Sequence, residues 1–182
     1  MVSQFVSSHN VQLLGALKYN FPEGTHAIGR LDQNSEGLLL LTTDKKITRL
    51  LFQGKQPHSR KYLVQVKNII KHETIDQLAR GIAISAPQGS QFVTSPCKVC
   101  IVQKPDYIAD PLQTLHPNSL HSWLEITLTE GRFHQVRKMV AAVHHKCIRL
   151  IRIAIEDIHL GNLQPGEVQE VSSEYFFEKL KL

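Results

Sequence analysis

The sequence is poor in the features that staple, anchor or disorder a chain. Three cysteines among 182 residues, an odd count, argue against a disulfide framework and for a reducing compartment, the cytoplasm. The run of four leucines at residues 38–41 is far too short for the roughly 20 residues that span a bilayer, so no membrane partner is expected. The first five residues lack a basic region followed by an apolar one, and no secretory leader is expected. Internal repeats, low-complexity tracts, a glycine-rich phosphate loop, a GxSxG elbow and HExxH spacing are all missing. Acid is in short supply: 16 Asp and Glu stand against 21 Lys and Arg, a net charge of +5 before ten histidines are counted. With a pI near 9.2, that excess favours a polyanionic partner such as nucleic acid.

What remains is an ordinary globular composition, 42% hydrophobic and 20% charged, enough chain for one domain or two small subdomains with a shared core. Helical spacing of apolar residues predicts a helix over residues 11–17, ended by Pro22 and Gly24. A strand is expected at 26–29, and the leucines 38–41 read as a short strand buried on both faces. Thr43 or Asp44 then caps a helix whose apolar face is Ile47, Leu50 and Leu51. Residues 60–67 alternate polar and apolar, a half-buried strand. A helix over 73–80 and strands at 82–84, 91–93 and 98–102 follow. Three prolines mark residues 103–121 as an irregular loop. Residues 122–129 alternate again; Val136, Met139, Val140 and Val143 define an amphipathic helix; 147–155 reads as a buried strand. A last strand over 168–171 and a helix over 174–180 close the chain. Strands dominate without βαβ alternation, so the class is α+β with a mixed, mostly antiparallel sheet.

Three groups of residues invite a chemical reading. Asp32 sits in a polar loop between Leu31 and the turn-forming Gln33, Asn34 and Ser35; pattern alone favours a local turn bond, and the sharper reading is a reactive carboxylate. Arg132, His134, Arg137 and Lys138 crowd a helix start, where the macrodipole already makes positive charge unfavourable. Such crowding builds an anion site, most simply for phosphates, with Arg149 and Arg152 extending its positive side; the plainer alternative is a solvated basic surface. Cys97, Cys100, His116 and His121 match a Cys₂His₂ zinc count. Against zinc, two cysteines three apart on one strand face opposite ways, and Pro117 breaks any helix that would carry the histidines. No metal is expected.

Taken together, several motifs resemble one family. Gly29-Arg30-Leu31-Asp32, with Ser35 and Gly37-Leu38-Leu39-Leu40-Leu41-Thr42, looks like the signature of the RNA pseudouridine synthases of the RsuA/RluB/RluE/RluF family. Arg60-Lys61-Tyr62-Leu63-Val64 resembles its second motif. Glu130-Gly131-Arg132, Gln135-Val136-Arg137-Lys138-Met139, Leu150 with Arg152, and Leu160-Gly161 through Glu167 resemble the third and the closing segment. The insertion before Ser122 is most similar to RluE-type enzymes of large-subunit ribosomal RNA.

The resemblance implies a pseudouridine synthase fold of two subdomains flanked by helices, with the active cleft between them. It implies a single catalytic domain over residues 1–182, without an amino-terminal accessory RNA-binding domain and shortened at its start. Carried over by position, Asp32 matches the catalytic aspartate, Tyr62 the tyrosine that stacks on the target base, and Arg137 the basic residue paired with the aspartate. Leu150 matches the apolar residue bordering the base pocket, and Arg30 one that contacts RNA and helps displace the target. Arg132, Gln135 and Lys138 are expected at the RNA as well. The implied reaction is isomerisation of a specific uridine in a structured stem-loop of ribosomal RNA by a monomer that needs no cofactor. The alternative is a non-catalytic RNA-binding protein on the same scaffold. Chemistry agrees with the family. A carboxylate can attack the sugar carbon or stabilise positive charge there. A nearby guanidinium favours its ionised form, and a base inside structured RNA is reached by flipping it onto an aromatic.

Overall fold

The computed structural model describes residues 1–53, 56–110 and 119–182. One turn of 3-10 helix, Leu14–Ala16, precedes β1 (His26–Ala27), β2 (Glu36–Gly37), β3 (Leu41–Thr42) and helix α1 (Lys45–Gln53). Longer elements follow: β4 (Arg60–Lys67), α2 (His72–Arg80), β5 (Ala83–Ser85), β6 (Gln91–Val93), β7 (Lys98–Val102) and β8 (His121–Leu128). The chain closes with α3 (Gln135–Ala142), β9 (Cys147–Ile155), β10 (Ile158–His159) and α4 (Ser173–Leu180). Strands β10, β9, β4, β8 and β7 pair antiparallel in that order, and β2 joins β9 in parallel. β1 with β3, and β5 with β6, make separate ribbons. The sheet is mixed and mostly antiparallel, as expected. Among the described residues no helix is long and apolar enough to cross a membrane.

Alternation along β4, β8 and β9 explains how the sheet acquires two covered faces. On one face Val64, Val66, Leu124, Ile126 and Leu150 pack with Leu78 of α2 and with Val136, Met139 and Val140 of α3. On the other, Leu63, Trp123, Ile151 and Ile153 enclose Ile108. A separate core joins Ile28, Leu38, Leu40, Ile47 and Leu51 to Ile155, Ile158 and Leu180. The arms that carry this last core hang the first 50 residues on the end of the central ladder.

Three expectations change. Residues 11–17 form only one 3-10 turn, because their backbone bonds run sideways: Val2 N–H donates to Gln12 O and Leu14 N–H to Gln4 O. The leucines do not form one strand. Leu38 N–H donates to Arg152 O, while Leu40 O accepts from Ile28 N–H, so the run changes partners midway with Leu38 and Leu40 buried. Residues 168–171 find no ladder and stay irregular. Asp44 does cap α1, its carboxylate accepting from Lys46 N–H at 2.8 Å. Of the predicted apolar face, Ile47 and Leu51 are buried and Leu50 is exposed.

Candidate active site

The β4–β9 register sets Tyr62 opposite Arg152 and Val64 opposite Leu150. Residues facing one another across a ladder share a face, so Tyr62, Leu150 and Arg152 form one wall. The Asp32 loop reaches this wall because β2 docks on β9, Glu36 beside Ile151 and Gly37 beside Arg152. Gly37 has φ +97°, and a Cβ there would stand 2.3 Å from Arg152 O, so only glycine allows this docking. Residues 130–134, leading into α3, close the third side. The result is a cleft of about 290 Å³ containing Asp32, Tyr62, Leu150, Arg152, Arg30 and His134 among its lining. Four arginines (Arg30, Arg60, Arg132, Arg152) line it against two acids (Asp32, Glu130), so its field suits an anion.

Asp32 lies in a turn closed by Ser35 N–H donating to Asp32 O at 2.8 Å. Buried Ser3 ties down the preceding residue, accepting from Leu31 N–H at 3.0 Å and donating to Leu31 O at 3.2 Å. The turn is therefore made by backbone rather than by the Asp32 side chain, whose carboxylate stays partly exposed in the cleft. The imidazole of His134 is its neighbour, Nε2 to Oδ1 3.5 Å.

Arg137 does not reach that carboxylate. Its Nη2 donates to Asn34 O at 2.6 Å and to Ser35 Oγ at 3.4 Å, so the guanidinium grips the loop rather than the acid. Arg152 grips from the other side, Nε to Leu38 O at 2.8 Å and Nη1 to Arg30 O at 3.5 Å. Burial, with Arg60 nearby, holds the pKa of Arg152 below its ordinary value, and the Tyr62 hydroxyl and Asp32 carboxylate only partly oppose it. An arginine so placed stays charged, and its field falls on the two groups expected to react.

The remaining sequence-predicted residues divide. Arg30, Arg132 and Leu150 line the cleft. Gln135 lines it too, yet is buried with both ends of its amide engaged: Oε1 accepts from Arg132 N–H at 2.9 Å, and Nε2 donates to Glu130 at 2.7 Å. It braces the turn before α3. Lys138 is not in the lining; its ammonium donates to Ser85 O at 2.7 Å beside the rim residue Phe133. Arg149 lies outside the cleft, paired through two nitrogens with Glu36 at 2.9 and 2.7 Å, which fixes β2 to β9. Of the zinc set, Cys97 donates to Leu78 O at 3.5 Å, and burial beside Glu130 pushes its thiol pKa up, away from the thiolate a metal needs. Cys100 is exposed on β7, and His116 lies outside the described residues. Sequence names His134 only as part of the basic helix start and leaves Phe133 out; the one signal for Phe133 is its place inside that segment.

On this mixed α+β sheet, one cleft thus holds Asp32 and Tyr62 beside a basic rim. The chain belongs to the RNA pseudouridylate synthase family, whose model matches residues 8–142. It is 35% identical over 147 residues to the ribosomal large subunit pseudouridine synthase E of Vibrio parahaemolyticus, covering 80% of this chain and 60% of that protein. Against the enzyme of the same name from Xanthomonas axonopodis pv. citri it is 32% identical, covering 91% of this chain and 85% of that one. A crystal structure of a pseudouridylate synthase superposes with a TM-score of 0.70 at 28% identity, covering 89% of this chain and 63% of the other. The chain thus spans about three fifths of the Vibrio relative's length. The resemblance read from the motifs and the fold class it implied are both borne out.

Proposed function

We propose that the protein isomerises a specific uridine to pseudouridine in ribosomal RNA, that of the large subunit by likeness to the relatives named for it. The observation that carries this reading is the meeting of Asp32, Tyr62 and Leu150 in one cleft from three distant segments. In the reaction the bond from ribose C1′ to ring N1 breaks, the ring turns, and C1′ joins C5. The C5 proton leaves and N1 gains one, so nothing is oxidised and no cofactor is called for. Asp32 attacks C1′ or balances the positive charge that develops there. Tyr62 stacks on the flipped ring and stands where the C5 proton must go. Leu150 borders the ring, Arg30 and Arg132 hold RNA phosphates, and Arg137 fixes the loop that aims Asp32. The substrate is a structured stem-loop and the protein acts as a monomer in the cytoplasm.

The test is a pair of measurements on Asp32→Asn. Isomerisation of unmodified large-subunit ribosomal RNA should fall to background while RNA affinity stays within about threefold, since the change keeps shape and removes the nucleophile. Equal turnover by the variant would overturn the mechanism. Tight binding without any product from the wild-type protein would leave an RNA-binding module. Mapping pseudouridines in ribosomal RNA from cells with and without the protein identifies the target.

A further inference from the structure

Phe133 is the one exposed phenylalanine among the described residues, 74% accessible, and it stands on the rim of the cleft. The ring is held in place. It lies flat on the His134 imidazole, centroids 3.9 Å apart and planes 17° from parallel. The Lys138 ammonium, tethered to Ser85 O, sits 5.6 Å from the ring centre. His134 takes a left-handed backbone conformation, φ 54° and ψ 30°, unusual for a residue with a side chain, and its far nitrogen is 3.5 Å from Asp32. Asp32, His134 and Phe133 therefore form a stack running outward from the reacting carboxylate to the surface. Lys138 flanks it, and Arg30 and Arg132, the latter with its guanidinium 4.2 Å from the Phe92 ring centre, line the same cleft, a charge pattern complementary to phosphates. An isolated exposed apolar residue needs no explanation in itself. A flat ring oriented by an imidazole and flanked by an ammonium, one side chain from the proposed nucleophile, is a more particular arrangement.

We propose that Phe133 is a stacking platform for the nucleobase next to the target uridine. The proposal rests on the reading of the cleft given above. Turning a uridine toward Asp32 strips its neighbour of one stacking partner, and a phenyl ring replaces the lost π-face without reading its sequence. His134 is then a positioning residue that sets the plane of the platform while bearing on Asp32.

The experiment measures binding of the full chain to a stem-loop RNA with an all-uridine loop across a range of salt. Phe133→Ala should weaken binding about tenfold without altering the salt slope, because no charge is removed. Phe133→Trp should restore affinity and Phe133→Leu should not. The same RNA with abasic loop positions should bind wild type and Phe133→Ala equally. The proposal is overturned by equal binding of wild type and Phe133→Ala, by full rescue with Leu, by a changed salt slope, or by no binding of the wild type. The reading of the cleft is judged separately, by isomerisation of ribosomal RNA by the wild type. Stacking without isomerisation would refute that reading and leave the platform standing.

Discussion

The wall of the cleft that carries Tyr62, Leu150 and Arg152 belongs to a continuous β4–β9 ladder, whereas Asp32 sits on a loop held by a few side chains. Beside the first wall, on the same face of the sheet, lie Val64, Leu124 and Met139, all fully buried, so its shape follows from packing that spans the molecule. Behind the second lie the guanidinium groups of Arg137 and Arg152, the hydroxyl of Ser3 and one glycine contact. The sheet supplies a fixed surface for a flat ring; the loop supplies one aimed carboxylate. Damage to the first wall should therefore cost stability, and damage to the second should cost turnover.

Leu124→Ala gives the largest expected effect. Removing a fully buried leucine from the ladder should cost about 2–5 kcal/mol in urea unfolding, while turnover per folded molecule is unchanged. A turnover loss matching that cost would merge the two walls into one unit. Gly37→Ala comes next. Its Cβ would collide with Arg152 O in a backbone region unfavourable to side chains, so we expect a stability loss of about 1–3 kcal/mol together with a drop in kcat. Unchanged kcat would show that β2 does not aim Asp32.

Arg137→Ala is smaller and purely local: about tenfold in kcat, or about 1.4 kcal/mol, from the freed Asn34 carbonyl and loosened loop. Lys138→Ala should leave kcat within about twofold and act on affinity and its salt dependence. Comparable kcat losses would mean that loop grip is not what Arg137 contributes. The smallest effect concerns Glu156, at the β9–β10 turn. Burial raises its pKa, yet hydrogen bonds from Lys181 and the Ser59 amide, and the nearby His58, bring it below the ordinary 4.5. A lowered folded value means that its contribution is present above pH 4.5 and is lost as pH falls through that lower value. Glu156→Gln should thus melt a few degrees below wild type at pH 7, about 2–4 °C per kcal/mol, with the gap closing below about pH 4.5. A gap that persists in acid would assign the effect to shape rather than charge.

Much of the first wall was legible in sequence. Alternation over residues 60–67 and 122–129, and the 3.6-residue spacing from Val136, report local geometry that burial on one face imposes directly. The leucine run misled for the opposite reason: an extended chain that changes hydrogen-bond partners at Leu39 looks, residue by residue, like a buried strand. Residues 11–17 misled because helical spacing says nothing about backbone groups claimed by residues 2–4. Within the site, the motifs named Asp32, Tyr62 and Arg137, and the resemblance implied one relation, Arg137 paired with Asp32. The expected Asp32–Arg137 pair is replaced by a grip on the loop, and Arg152, first read as part of a positive surface, is the buried arginine between Tyr62 and the loop. Nothing local could have shown this, since those residues are separated by about 100 positions and meet only through strand register.

The sequence by itself determined the α+β class, the strands of the central ladder, the basic balance and the residue types of the site. Patterning and composition act within a few residues and leave a local trace. Tertiary structure alone decided that Asp32 faces His134, that two arginines hold its loop from opposite sides, and that Phe133 lies flat at the mouth. Those facts depend on which strand docks beside which and in what register, a competition among contacts across the whole chain.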